Sequence, residues 1–412
     1  MSVTALPPPQ DTVGPIGWAR RNLFSSWLNS VVTLVLGSGM LLVILLVAEW
    51  AVTRARWGVV TTNFRLFLIW IYPLEEAWRV LVAMALLSLI AGITAAGSHS
   101  RPLRTLAVWL VAGQLLLAAL AALSGVEAMV IGDRAARAEE AMIIAAGLLA
   151  SAAVGFVALT FGRRITVPGG VLALAWLAWL PFTFAMLQGF GPLRLIETAA
   201  IGGLLLTFLL AVASIVLSFP IGVLLALGRR SDMIVVRWLS TAYIEVIRGV
   251  PLVTLLFMAA ILLPLFMPGG VRPEHVYRAI AGLTLFTAAY VAENVRGGLQ
   301  AIPSGQIEAA NAIGLNAIQR NLYIVLPQAL RSVIPANVGL FISLLKDTTL
   351  VAIAGTGLLE LLGIGQAVLA QTQWVGTYLE VYVFISAVFF VLCYTMSQAS
   401  YRLEEQMGVG TR

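Results

Sequence analysis

About ten runs of roughly twenty mostly apolar residues follow one another along this chain, each long enough to span a bilayer as a helix. They fall at 31–50, 79–98, 105–125, 141–161, 170–189, 201–227, 244–267, 278–298, 334–358 and 379–400. Lipid offers no partner to a main-chain N–H or C=O, so a chain built this way folds as a bundle of helices. An ordinary soluble domain carries about 25% charged residues. Here 11% are charged, 60% are apolar and the mean hydropathy is +0.96. The expected class is an all-α polytopic membrane protein.

The net charge of +6 could suggest nucleic acid, but the arginines cluster at the ends of the runs. That is the positive-inside pattern, and no nucleic-acid partner is expected. With the N-terminus in the cytoplasm, Arg101 and Arg104, Arg163 and Arg164, Arg229 and Arg230, and Arg402 fall at cytoplasmic ends. An even number of spans then keeps both termini inside. The segment 51–79 conflicts with this scheme, because Arg54, Arg56, Arg65 and Arg79 would lie outside. Its apolar stretch from Leu66 to Tyr72 would lie in the interface or re-enter the membrane. Pro7, Pro8, Pro9 and Asp11 precede Arg20-Arg21, and the apolar run that follows is too long for a cleaved signal sequence. One cysteine, Cys393, allows no internal disulfide, and His99 and His275 are the only imidazoles. No metal site is expected.

The chain reads as two halves. Residues 1–28 form a cytoplasmic N-terminal segment, and 29–195 a transmembrane extension of about five helices. Residues 196–405 form a core of about five helices with a polar loop at 299–333, and 406–412 a tail. Gly-Phe-Gly-Pro at 189–192 marks the turn between halves. Polar groups are scarce in the first half, and Gln114 is expected to bond a neighbouring helix. Nearly all the intramembrane charge belongs to the second half.

The loop at 299–333 is polar, helix-prone and punctuated by glycine and proline. Ser304 can N-cap a helix from Gly305 to about Ile313, with Gly314 as a left-handed C-cap. Asn316 can cap a second helix to Tyr323, with Pro327 as its stop. Glu308 and the small residues Ala309, Ala310 and Ala312 would suit a groove on a partner; otherwise the loop is a solvated connector. Arg296-Gly297-Gly298, Glu308-Ala309-Ala310, Gly314 and Leu326-Pro327 occur in that order. This order resembles the cytoplasmic coupling loop of ABC importer permeases.

The resemblance extends over about Gly202 to Leu403, through GGLLLTFLLA (202–211), SFPIGVLLALGRRS (218–231), IRGVPLV (247–253) and LLKDTTL (344–350). Those stretches are similar to permeases of polar amino-acid ABC importers. The long first half resembles the larger permease of the general L-amino-acid systems. The family implies a type I importer core and an inner-membrane location. It also implies a second homologous permease, an ABC ATPase dimer that binds ATP and Mg, a periplasmic amino-acid-binding protein and an L-amino-acid substrate. Residues Gly305, Glu308, Ala309, Ala310, Gly314, Leu326 and Pro327 would form the ATPase-coupling loop.

Lys346 is the only lysine, and Leu345 precedes it. A P-loop needs Gly-Lys-Ser/Thr, so the chain is not expected to be an ATPase or to bind a cofactor itself. Lys346 falls about twelve residues into its run, about 18 Å deep, near the middle of an approximately 30 Å core. Neighbours on a helix diverge, so Lys346 and Asp347 need separate partners. Lys346 is either locked to a carboxylate of a facing helix or set along the substrate path. Thr348 and Thr349 read as residues that bond their own backbone, though Thr348 stays a candidate for the path.

Glu293 and Arg296 are three apart on one helix, and Glu245 and Arg248 repeat that spacing. Each pair can stabilise its own helix, cross-link the bundle, or meet the two charges of an amino acid. Gly249-Val250-Pro251 should break the helix beside Arg248. Two rival classes remain. An ion-coupled secondary transporter would show inverted repeats, and an intramembrane hydrolase would need paired aspartates or a Ser–His pair in its spans. Neither pattern is visible.

Overall fold

A computed structural model describes residues 14–97, 101–130, 135–165, 167–268 and 272–407. His99 and the prolines at 7–9 lie outside them. The chain divides into two compact units, 1–57 and 58–412. The junction expected at 195–196 therefore falls inside the second unit.

In the first unit, α1 spans Pro15–Asn22 and α2 spans Trp27–Thr53. Ser26 caps α2 by accepting the N–H of Asn29. The helix is apolar on every side, as a membrane span is. Beyond it, Arg54 pairs with Glu49 at 2.8 Å and the Trp57 indole donates to the carbonyl of Ala51.

The second unit begins with two short helices, α3 (Gly58–Thr62) and α4 (Phe64–Ile69). Four long helices follow: α5 (Ala77–Gly97), α6 (Arg101–Val130), α7 (Ala135–Phe161) and α8 (Gly169–Gln188). Small residues let α5 and α7 approach closely, and a Cβ on Gly92 would meet that of Ala158 at 2.6 Å. Gln114 on α6 donates to Ser88 on α5 at 2.8 Å, as its isolation in an apolar helix implied. The 189–195 segment turns as expected, with Gly189 and Gly191 at positive φ.

The later helices are α9 (Gly203–Arg229), α10 (Ile234–Gly249), α11 (Leu252–Phe257), α12 (Leu263–Phe266), α13 (His275–Gln300), α14 (Ser304–Ala312), α15 (Ala317–Gln319), α16 (Leu326–Asp347), α17 (Leu350–Ile353), α18 (Leu361–Leu369) and α19 (Tyr378–Met407). A π-helical stretch, Met258–Leu262, joins α11 to α12, and another, Arg320–Val325, joins α15 to α16. Val250 is extended and Pro251 cannot donate, so α10 and the α11–α12 rod meet at 109°. The predicted break is there, but the run at 244–267 is not one straight span.

Among the described residues, eight helices are long and apolar enough to cross a membrane, and the bent pair could make a ninth. The tenth expected run is α13. Its composition is less apolar because other protein surrounds it: Val291, Ala292 and Val295 are fully buried against α9, α10 and α16.

The segment 58–72 is packed, not a free outer loop. Phe64 and Phe67 set their edges against Phe384 of α19, with ring centroids 6.5 and 5.1 Å away. Arg65 pairs with Glu140 at 2.9 Å, and Arg79 pairs with Glu76 at 2.9 Å. Two of the arginines that conflicted with the charge rule are thus neutralised in place.

Candidate functional site

The polar loop hangs from one end of the bundle on two inward residues. Ala310 is buried, and Ile307 packs with Ile302 on a core formed by α9, α13 and α16. Ala310 therefore faces the protein's own bundle and not a partner, which corrects the expected small-residue face. Glu308, Ala309 and Ala312 remain exposed. Ser304 is the first residue of α14 and makes no capping bond; the cap position belongs to Pro303. Gly305 is exposed beside it. Gly314 has φ +80°, the left-handed turn its type requires.

Asn316 and Gln319 form a reciprocal capping box, and Arg320 reaches back to Asn311 at 2.9 Å. Pro327 does not stop the second helix. It sits in the first turn of α16, where its missing donor costs little, and the π-helical stretch carries 317–347 through as one rod. Leu326 is half-buried and Pro327 exposed. The same loop carries large exposed apolar side chains: Ile313, Ile318, Leu322 and Tyr323.

Among α9, α10 and α13, three part-exposed arginines gather on one carboxylate. Arg296 binds Glu293 through Nε at 3.0 Å, Arg229 reaches it at 3.4 Å and Arg248 at 3.5 Å. Glu245 does not pair with Arg248, because Arg229 takes it at 2.8 Å. Arg248 instead lies over the ring of Tyr290, 5.6 Å from its centroid. The cluster thus joins α9, α10 and α13 and carries one positive charge in excess. Sequence reading missed Arg229, which looks like a helix-end charge; only its two cross-helix contacts reveal its role.

The helix carrying Lys346 ends at Asp347, eleven residues short of the expected 358. Asn294 donates to Asn337 at 3.0 Å, and Gly298 abuts Val333 and the carbonyl of Ala329. Helices α13 and α16 therefore run antiparallel, and that register sets Lys346 roughly level with Leu285, near the middle of α13. Lys346 is exposed on the subunit, Asp347 half-buried and Thr348 buried. No carboxylate pairs with Lys346 among the described residues, so the lock within this chain is absent. Thr348 and Thr349 donate to the carbonyls of Leu345 and Lys346, both at 2.7 Å.

Comparison with known proteins follows this geometry. The family of binding-protein-dependent transport system inner membrane components matches residues 218–406. The glutamate/glutamine/aspartate/asparagine transport system permease BztC of Rhodobacter capsulatus is 38% identical over 97% of this chain and 95% of its own. The inner membrane amino-acid ABC transporter permease YhdY of Escherichia coli is 33% identical over 95% of this chain and 93% of its own. A shorter relative, the probable glutamine permease GlnP of Bacillus subtilis, is 36% identical and aligns with 49% of this chain and 90% of its own. The chain belongs to the multi-pass permease components of amino-acid ABC transport systems.

Proposed function

We propose that this subunit forms half of the channel of an ATP-driven importer for polar L-amino acids, acidic residues and their amides foremost. BztC, named for glutamate, glutamine, aspartate and asparagine and similar over nearly the whole chain, supports that substrate class, and YhdY, similar over nearly the same length, supports an amino-acid substrate. A periplasmic binding protein delivers the amino acid, a second homologous permease completes the channel, and a separate ATPase dimer binds ATP and Mg. Glu308, Ala309 and Gly314 lie at the ATPase contact, on the cytoplasmic side.

The observation that carries this reading is the surface of the loop. Its inward residues are tied to the bundle, while Ile313, Ile318, Leu322 and Tyr323 are left exposed on the same loop as Glu308. Apolar side chains of that size in one small area mark a protein contact. The rod from 317 to 347 runs from this area to Lys346, so a push on the loop reaches mid-membrane through one helix.

Gly314→Val tests the coupling. A β-branched side chain at φ +80° strains the turn by about 1–2 kcal/mol, while a Cβ there meets no neighbour. The protein should insert and accumulate normally, bind the ATPase weakly and uncouple hydrolysis from uptake. Wild-type uptake by this variant would end the reading.

A further inference from the structure

A partly open cavity of about 150 Å³ lies where the extension meets α9. Val80 and Ala83 of α5, Trp179 of α8, and Leu205 and Phe208 of α9 line it, together with side chains of α6 and α7. The Trp179 indole is held by a bond to the carbonyl of Ala83 at 3.1 Å, so that wall is fixed. Cavities of this size and lining stay dry and take apolar guests. One lining residue is polar. Thr183 is 2% exposed, and its hydroxyl has no hydrogen-bond partner.

The depth of the cavity identifies the guest. Val80 and Ala83 lie near the start of α5, Leu205 and Phe208 near the start of α9, and Thr183 near the end of α8. All three ends lie opposite the polar loop. Thr183 is five residues from the end of α8, about 7–8 Å, in the outer quarter of an approximately 30 Å hydrocarbon layer. The ester carbonyls of phospholipids lie at the edge of that layer, with the acyl chains beneath them. We propose that the cavity holds the carbonyl-proximal carbons of one acyl chain of an outer-leaflet phospholipid, the rest of the chain leaving through its open side, with the Thr183 hydroxyl donating to the ester carbonyl. Bound there, the lipid fills the seam between extension and core.

The test uses the intact complex in nanodiscs containing phosphatidylglycerol brominated along its acyl chains. The Trp179 signal is the fluorescence difference between wild type and Trp179→Phe. At brominated-lipid fractions too low to quench the other tryptophans, that signal should fall at least twofold. Thr183→Val keeps the side-chain volume and removes the donor, and should raise the lipid fraction needed about fivefold, the worth of one hydrogen bond. Ala83→Leu fills the space and should abolish selective quenching. If that variant does not assemble, Thr183→Val alone decides. Quenching of Trp179 in step with the other tryptophans, or selective quenching unchanged in Thr183→Val, would overturn the proposal.

Discussion

Arg79 donates through its guanidinium to the main-chain carbonyl of Arg194 at 2.9 Å, tying the first turn of α5 to the linker that ends the extension. Arg79 is fully buried, and its charge is met by Glu76. Tyr72 makes a parallel tie, its hydroxyl donating to the carbonyl of Leu187 at 2.8 Å. Charge counting reads Arg79 as a topological signal. In the fold it is a clasp that closes the extension on itself.

The clasp gives a prediction for stability. Arg79→Met keeps the apolar stem and leaves Glu76 beside an uncharged partner. Breaking a buried pair from one side costs about 3 kcal/mol or more. The melting temperature of the detergent-solubilised protein should drop by several degrees. Adding Glu76→Gln should restore part of the loss, since the stranded charge is then gone. Equal melting of wild type and Arg79→Met would show that the clasp contributes nothing.

A second prediction ranks the carboxylates of the ionic cluster. Glu293 touches Arg296, Arg229 and Arg248, whereas Glu245 touches Arg229 alone. Glu293→Gln leaves three guanidiniums with Glu245 as their remaining carboxylate, while Glu245→Gln removes one half-exposed pair worth under about 1 kcal/mol. Yield of folded subunit should fall clearly for Glu293→Gln and little for Glu245→Gln, and added salt should narrow the gap by screening the arginines. Equal yields would mean the cluster is not a structural tie.

Glu360 gives a pH prediction. It lies in the connection between α16 and α19, fully buried, and caps α18 by accepting the N–H groups of Leu362 and Gly363 at 2.8 and 2.9 Å. Burial pushes its carboxyl from 4.5 up to about 7, and the two N–H bonds offset part of that rise. Between those pH values the folded protein holds a proton that the unfolded chain has lost. This group's contribution to stability therefore falls as pH rises from about 4.5 to about 7 and levels off above. Glu360→Gln should flatten that slope relative to wild type in thermal melts across the window. An unchanged slope would rule the group out.

How much of this was legible in the sequence depends on how far each cause reaches along the chain. Gly249-Val250-Pro251, Gly314 and the Asn316–Gln319 box act within a turn, and all three behave as their residue types dictate. Gln114 was legible because an amide isolated in an apolar helix has few places to go. The partners of Arg229 lie 16 and 64 positions away and are set by helix packing alone. Ala310 turned inward because Ile307, one turn earlier, shares its face, a direction that glycine and proline signals do not carry. The end of α16 at Asp347 was hidden because the apolar run continues past the turn at Thr348 and Thr349.

Lys346 decides between a path and a lock. It is exposed on the subunit, level with the middle of α13, and among the described residues no carboxylate is in ion-pair contact with it, its chain neighbour Asp347 included. A cation so placed cannot face acyl chains cheaply, so its surroundings are water, substrate or the second permease. Lys346→Met keeps length and apolar bulk and breaks no ion pair among the described residues, so the subunit should fold and the complex should assemble within about twofold of wild-type yield. Uptake into proteoliposomes should fall roughly tenfold or more, equivalent to about 1.4 kcal/mol on the transport barrier. Lys346→Arg keeps the charge and should recover part of the rate. Poor complex yield with normal specific activity in the surviving complex would instead make Lys346 a lock between subunits, because the variant would then have stranded a carboxylate of the partner.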